Sequence, residues 1–335
     1  MNSSNKVKYA VVGCGSISSV HFKGIHNSKG AELGAVCDID KTAGDAAAKK
    51  YDVPVYYNIE ELLKQEDIDV VNICTPSSLH PEQTIAAANA GKHVLVEKPM
   101  AIHLRDISPM IQACKDNNVL LATVFPRRMS PEAIYLREII KNGDLGELSL
   151  CSAYAKIYRS QLYYDSSGWR GTWRDDGGGA MMNQGIHTVD LLQWIVGPVA
   201  SVYGNAKAVL RNIEVEDTVV SSLEFVNGAM GVLEITTTAI VNEQQRLEIH
   251  GEKGSAIFTG DSITRLNIED EDVKVPTFNS FSVIPDGHYF QIQDLTNAIL
   301  EDRKPEIGGE EGRHSLEIIL GTYESSEKQQ KIYIS

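Results

Sequence analysis

From Val7 to about Phe125, short apolar runs alternate with stretches of good helix formers. The runs Val7 to Val12, Ala31 to Cys37, Val70 to Cys74, His93 to Val96 and Leu120 to Phe125 are short and almost continuously apolar, so they predict buried strands. Between them, Thr42 to Lys50, Pro81 to Ala90 and Leu104 to Asn117 predict helices long enough to serve as right-handed crossovers. Such alternation predicts a parallel α/β sheet of the doubly wound, Rossmann type.

After Pro126 the pattern changes. A helix over Pro131 to Asn142 leads into longer strand-like runs: Glu147 to Tyr158, Val199 to Val209, Asp217 to Phe225, Ala229 to Ala239, Arg246 to His250 and Ser255 to Thr259. These predict an α+β domain with a large open, mostly antiparallel sheet. Asn227-Gly228 between two such runs predicts a hairpin with a type I′ turn. Late helices are expected near Phe290 to Glu301 and Gly312 to Lys328, placed to pack back on the first domain, whereas Asp261 to Pro285 gives no assignable element. The expected division is a Rossmann domain over 1–126 and a substrate-binding and oligomerisation domain over 127–335. Strands in the second domain carry apolar residues on both alternations, as in Val219-Val220-Ser221-Ser222-Leu223, which predicts a homodimer or homotetramer formed through that sheet.

Composition narrows the classes. The chain has 335 residues, 42% hydrophobic and 23% charged, as expected of a globular protein of about two domains. Its formal charge of -14 argues against nucleic acid or an anionic membrane surface as a partner. Five cysteines without a Cys-x-x-Cys spacing predict reduced, buried thiols in a cytoplasmic protein, with neither a disulfide framework nor a metal site. No signal peptide or membrane span is expected from the sequence.

Chemistry concentrates at three places. Val11-Val12-Gly13-Cys14-Gly15-Ser16-Ile17-Ser18 closes the first strand and opens a helix, the context in which a glycine turn cradles a pyrophosphate. Gly13 serves the turn, Gly15 admits the phosphates, Ser16 and Ile17 start the helix, and Ser18 replaces a third glycine. Asp38, at the end of the second strand, is placed to accept hydrogen bonds from the adenosine ribose, which points to NAD; Lys41 nearby leaves NADP open. Thr75, Pro76 and His80, and then Glu97 and Lys98, follow two further strand ends on the cofactor edge. Lys98 is placed to donate to a substrate hydroxyl.

The third place is Gly177 to Trp194. Read as one helix, it sets Asn183, His187, Asp190 and Trp194 along a single stripe. His187 can take a proton from an alcohol near neutral pH. The competing structural reading makes it a core histidine satisfied by Asp190 or a carbonyl.

Together the glycine turn, Glu97-Lys98-Pro99 and the Gly177 to Trp194 run resemble the Gfo/Idh/MocA family of NAD(P)-dependent oxidoreductases, over nearly the whole chain. The resemblance implies that Lys98 is the family's Glu-Lys-Pro lysine and that His187 is the proton-transfer residue. Asn183 stands where the family's pattern carries an aspartate, and an amide cannot carry that charge. Tyr163 to Trp173, Met182-Asn183-Gln184 and Arg211 to Thr218 are similar to the branch that oxidises UDP-N-acetyl-2-amino-2-deoxyglucuronate. That implies a sugar nucleotide oxidised at its 3-hydroxyl, with Arg127, Tyr158, Tyr164, Trp169, Arg170, Asn183 and His288 as substrate contacts. The chain departs from that branch at Phe125-Pro126-Arg127-Arg128, where the branch carries Gln-Asn-Arg-Arg. Two alternatives remain: an inositol, anhydrosugar or glycoside dehydrogenase, and a non-catalytic regulator that senses the dinucleotide.

Overall fold

Six parallel strands form the first sheet: β1 (Val7–Val12), β2 (Ala31–Cys37), β3 (Val55–Tyr56), β4 (Val70–Ile73), β5 (His93–Val96) and β6 (Leu121–Thr123). This is a computed structural model, and it describes residues 6–240, 243–270 and 274–334. The order β3-β2-β1-β4-β5-β6 reverses direction beside β1, and ligands of such sheets bind at the carboxyl ends of the strands on either side of that reversal. The crossovers carry α1 (Ser18–Asn27), α2 (Lys41–Tyr51), α3 (Ile59–Leu63), α4 (His80–Asn89) and α5 (Leu104–Asp116). Central strands are buried on both faces, as their almost continuously apolar sequences predict.

The second sheet has eight strands: β7 (Leu148–Lys156), β8 (Val199–Lys207), β9 (Thr218–Phe225), β10 (Met230–Thr236), β11 (Arg246–Gly251), β12 (Gly254–Thr259), β13 (Ser262–Ile268) and β14 (Ile332–Tyr333). All of its pairings are antiparallel except β7 with β10, so the mostly antiparallel sheet expected after Pro126 is present. Helices α6 (Pro131–Asn142), α7 (Gln161–Asp165) and α8 (Ile186–Val196) accompany it. Strand β13 falls in the stretch that gave no assignment. Only Leu266 of it is fully buried, so it lacks the alternation that marks a half-buried strand.

Two late helices, α9 (His288–Leu300) and α10 (Gly309–Lys328), precede β14. The chain divides into Met1–Pro126 with Ser282–Arg313, and Arg127–Phe281 with His314–Ser335. A second domain running unbroken from 127 to 335 is thereby corrected, because α9 belongs to the core of the first unit. Tyr9 donates or accepts a 2.8 Å hydrogen bond with Thr296, while Ile292 and Leu295 are buried with Val11, Phe22 and Ile25. A Cβ added at Gly24 would lie 2.6 Å from Ile292 Cδ1 and 3.6 Å from the Tyr289 backbone, so α1 and α9 pack closely at this glycine.

The hairpin after β9 forms with a different turn. Gly228 takes φ +91° whereas Asn227 does not take a positive φ, and Gly228 N–H donates to Phe225 O at 3.0 Å. That is a three-residue loop closed by a left-handed glycine rather than a type I′ pair.

In the second unit Arg128 and Asp190 form a buried fork, Nε to Oδ2 at 2.8 Å and a second bond to Oδ1, with Ser315 also at Asp190. Burial pushes the Asp190 carboxyl up from its ordinary value, and the guanidinium only partly offsets this. Removing one partner of such a pair is costly because the other charge stays out of water. Asp190→Ala is therefore expected to lower stability by about 3–5 kcal/mol, read by denaturant melts. A loss below about 1 kcal/mol would mean that water reaches Arg128.

Candidate active site

The carboxyl ends of β1, β2, β4 and β5 carry most of the residues expected to hold a cofactor. Gly13 has φ +92°, and a Cβ there would lie 2.7 Å from the Cys74 carbonyl oxygen, so no other residue fits between β1 and β4. Gly15 is the opposite case: a Cβ there meets nothing within 4 Å. The backbone of the turn is thus open at Gly15, next to Ile17 at the start of α1, where unpaired N–H groups attract phosphate. Ser16 is exposed, while Ser18 is buried and donates its hydroxyl to Gly15 O at 2.7 Å, which explains why a small polar residue serves in place of a third glycine. Asp38 follows β2 and accepts from Cys14 N–H at 2.7 Å through Oδ2 and from Asp40 N–H at 2.8 Å through Oδ1. Its carboxylate is held against the glycine turn. These residues fit a bound dinucleotide.

Beyond β4 the expectation needs correction at one position. His80 is 1% exposed, with Nδ1 2.8 Å from Pro99 O and Nε2 2.9 Å from Thr75 O. Both ring nitrogens face backbone carbonyls, so His80 ties the loops after β4 and β5 together instead of presenting a face to cofactor. Thr75 remains at the edge, its hydroxyl donating to Gln83 Oε1 at 2.6 Å, with Pro76 next to it.

Glu97, at the end of β5, is also buried. Its Oε1 lies 2.9 Å from His21 Nε2 and 3.5 Å from His288 Nε2, and its Oε2 accepts the Lys98 N–H at 3.0 Å. Burial opposes ionisation of this carboxyl, but the bonds from His21 and His288 prevail and hold it well below the usual carboxylate range. Asn72 Nδ2 lies 3.2 Å from His21 Nδ1, completing the line. His288 was expected to touch substrate; at 3% exposure and set edge-on to His21, it supports Glu97 instead. The three donor atoms of His21, Glu97 and His288 lie within 4.8 Å of one another, and hydrogen bonding accounts for the closest pair.

In the second unit the helix expected from Gly177 onward is not uniform. Ala180–Gly185 winds as a π-helix and α8 begins only at Ile186, so Asn183 and His187 lie on either side of a change in pitch. Glu216 fixes this start: its carboxylate accepts from Gly179 N–H and Met181 N–H, both at 2.7 Å, and from Tyr323 OH at 2.8 Å. Burial pushes Glu216 up to about 7, since neutral donors offset the lost water only in part. A Cβ at Gly179 would overlap the Glu216 carbonyl oxygen at 1.8 Å, which accounts for the last glycine of the run. Asp190 is engaged by Arg128 and Ser315. Asn183 donates through Nδ2 to Asp176 Oδ1 at 2.9 Å and accepts through Oδ1 from Gln184 Nε2 at 3.1 Å.

Among the expected substrate contacts, Arg170 and Trp169 are half-buried and adjacent, the guanidinium 4.6 Å from the Tyr163 ring and 5.2 Å from that of Trp169. The Arg159 guanidinium lies 5.2 Å from the Tyr163 ring, and that of Arg211 lies 5.4 Å from the ring of the exposed Tyr158. Two assignments are corrected. Tyr164 is a core residue at 6% exposure, bonded to Thr237 at 2.8 Å and pushed up to about 12 by burial. Arg127, 7% exposed, bonds Gln245 and the Gly260 carbonyl and pairs with Asp261, so its guanidinium joins loops.

The sequence of the first unit matches the profile described as "Oxidoreductase family, NAD-binding Rossmann fold" over residues 7–125, and residues 134–257 match the GFO/IDH/MocA C-terminal domain. The chain belongs to the Gfo/Idh/MocA family. It is an oxidoreductase with an NAD-binding Rossmann domain. The WlbA dehydrogenase from Bordetella pertussis, solved in complex with NADH and UDP-GlcNAcA, is 32% identical, with a TM-score of 0.92, covering 100% of this chain and 99% of that one. Its counterpart from Chromobacterium violaceum, in complex with the same two compounds, is 33% identical with a TM-score of 0.90, covering 100% and 97%. The myo-inositol 2-dehydrogenase of Thermotoga maritima is 25% identical, over 97% of this chain and 98% of its own. No helix among the described residues is long and apolar enough to cross a membrane.

Asp176, Glu216 and His21 escaped the sequence reading. In sequence Asp176 is a polar residue before a glycine run, His21 one within a helix and Glu216 one before a strand; what singles them out is burial. His21 supplies a pH test. Burial lowers its pKa, against the Glu97 bond that raises it, so its contribution to stability is present above about 6.5 and is lost as pH falls through the lower folded value. Glu97 adds a second loss at lower pH, below about 4.5. Melting temperature should fall as pH drops from about 7 to 5, and less so in His21→Gln, which keeps a donor at that place without titrating. His80 and His93 shift in the same direction and leave a residual slope. An unchanged slope in the variant would show that His21 does not contribute.

Proposed function

We propose that the protein oxidises a secondary ring hydroxyl of a sugar nucleotide, a UDP-N-acetylglucosaminuronate-like compound being the favoured substrate and its 3-hydroxyl the reacting group. The observation that carries this reading is the cluster of Arg159 and Arg170 about Tyr163 and Trp169. Among the described residues neither guanidinium pairs with a carboxylate, and both lie over aromatic faces. Planar cations with aromatic neighbours suit a phosphorylated, nucleotide-bearing ligand better than a neutral polyol. Arg159 donates to Gln184 Oε1 at 2.8 Å, which joins this cluster to Asn183. The likeness to two structures whose bound compounds are NADH and UDP-GlcNAcA supports the same reading.

Gly13, Gly15, Ser16, Ile17, Asp38, Thr75 and Pro76 would hold the dinucleotide, NAD in preference to NADP because Asp38 repels a ribose phosphate. When bound, its nicotinamide supplies the acceptor for the hydride leaving the carbinol carbon. His187 takes the hydroxyl proton, general-base assistance worth about 10²–10⁴-fold. Lys98 donates to the oxygen as it becomes a ketone, and Asn183 fixes the substrate. Glu97 sets the backbone at Lys98 through the bond to its N–H.

The exposed face of the second sheet offers a surface for another copy of this chain. Leu150 and Met230 are cross-strand partners, 46% and 58% exposed, and Val220 and Tyr203 extend the apolar area across β9 and β8. Light scattering is expected to give a dimer or larger, and a monomer would exclude the proposal.

The test of the activity is a panel of UDP-sugars, inositols and glycosides assayed for NAD reduction. The expected result is turnover of a uronate-bearing UDP-sugar, with His187→Ala and Lys98→Met each binding NAD normally and losing at least about 100-fold in kcat. Preference for myo-inositol or a glycoside would replace the substrate class, and a cofactor never reduced by any compound would favour a dinucleotide sensor.

A further inference from the structure

The side-chain amide of Asn183 belongs to a chain of hydrogen bonds in which every donor points the same way. Arg159 donates to Gln184 Oε1 at 2.8 Å, Gln184 Nε2 to Asn183 Oδ1 at 3.1 Å, and Asn183 Nδ2 to Asp176 Oδ1 at 2.9 Å. The other oxygen of Asp176 accepts the Gly171 N–H at 3.0 Å. A guanidinium stands at one end and a carboxylate, 2% exposed, at the other. An amide presents a donor on one side and an acceptor on the other, and which faces where is set by such neighbours. Turning Asn183 over would set its Oδ1 against the Asp176 carboxylate and its Nδ2 against the Gln184 Nε2 donor, losing both bonds at once.

We propose that Asp176 is a positioning residue: through Asn183 Nδ2 it fixes the amide so that the acceptor Oδ1 is presented on the side away from the carboxylate. On the reading above, on which this inference rests, Oδ1 then accepts from a substrate hydroxyl beside the reacting one and holds the ring in place, leaving the single hydrogen of the reacting hydroxyl to His187. The backbone supports this arrangement. Asp176 N–H donates to Thr172 O at 3.2 Å, and Asn183 N–H donates to Gly179 O at 2.9 Å, so both residues are anchored on their own segments. Buried charge at Asp176 polarises the amide without placing a titrating group at position 183.

Three variants test the pairing. Asp176→Asn leaves two amides facing each other with neither orientation enforced, and kcat should fall about 10-fold or more while NAD affinity stays unchanged. Asn183→Asp puts two carboxylates within hydrogen-bond distance, where they must share a proton, so activity should fall and its pH profile should shift. The exchange Asp176→Asn with Asn183→Asp restores one carboxylate facing one amide and should return kcat to within a few-fold of the parent, which no general loss of folding would allow. Kinetics are read on whichever compound of the panel is turned over, so a wrong substrate assignment does not touch the result. Melting temperatures at about pH 5 and pH 8 give a readout independent of any substrate: Asn183→Asp should be destabilised more at the higher pH, and the exchange should remove that difference. An Asp176→Asn enzyme with unchanged kcat, or an exchange no better than the worse single variant in both readouts, would overturn the proposal.

Discussion

A carboxylate removed from water must either be given donors or take up a proton, and the two segments of the candidate site are each fixed by one such group. Glu97 and Glu216 show the two outcomes. Glu97 is met by two imidazoles and a backbone N–H, and stays ionised well below its ordinary range. Glu216 is met by two backbone N–H groups and a phenol, and burial carries it up to about 7. The first holds the strand end from which Lys98 leaves; the second holds the turn from which Asn183 and His187 leave.

This division gives the two units different sensitivities. Around Glu97 a change of charge requires protonating an imidazole that burial already disfavours, so the site resists mild acid until the folded chain itself weakens. Around Glu216 the proton is gained or lost near neutrality, within a set of bonds that does not include a cation. The Gly179 N–H and Met181 N–H bonds weaken when the carboxyl is neutral, and they lie at the first turn of the π-helix.

Much of the architecture was legible because periodicity reports burial. Strands β1, β2 and β5 and helix α6 appear in the sequence with the bounds they have in the fold, since each combines a continuous apolar run or a helical stripe with clear ends. Strand β13 was illegible for the converse reason, lying at the sheet's margin with most of its side chains in water. Of the candidate site, the placement of the glycine turn, Asp38 and Lys98 at strand ends could be read because it follows from the strand pattern. His80, Arg127, Tyr164 and His288 were misread toward ligand. A polar residue near a functional segment looks alike in sequence whether it faces a ligand or a backbone carbonyl, and only its burial and partners separate the cases. Asp176 could not be recognised because its partner lies seven residues away across a glycine run whose path the sequence does not specify.

The bond between Asp38 and the Cys14 N–H bears on how this protein could change its cofactor. In a Rossmann domain the simplest route from NAD to NADP is to replace the acid after the second strand. Here that acid also anchors the glycine turn, with its second oxygen capping the approach to α2 through Asp40. A neutral substitute would relieve the repulsion of a phosphate and at the same time loosen the loop that must cradle the pyrophosphate. With Asp38 as the proposed ribose acceptor, preference and affinity are coupled at one side chain, and adaptation toward the phosphorylated cofactor would begin elsewhere, at a neighbour such as the 88% exposed Ile39, before Asp38 is given up.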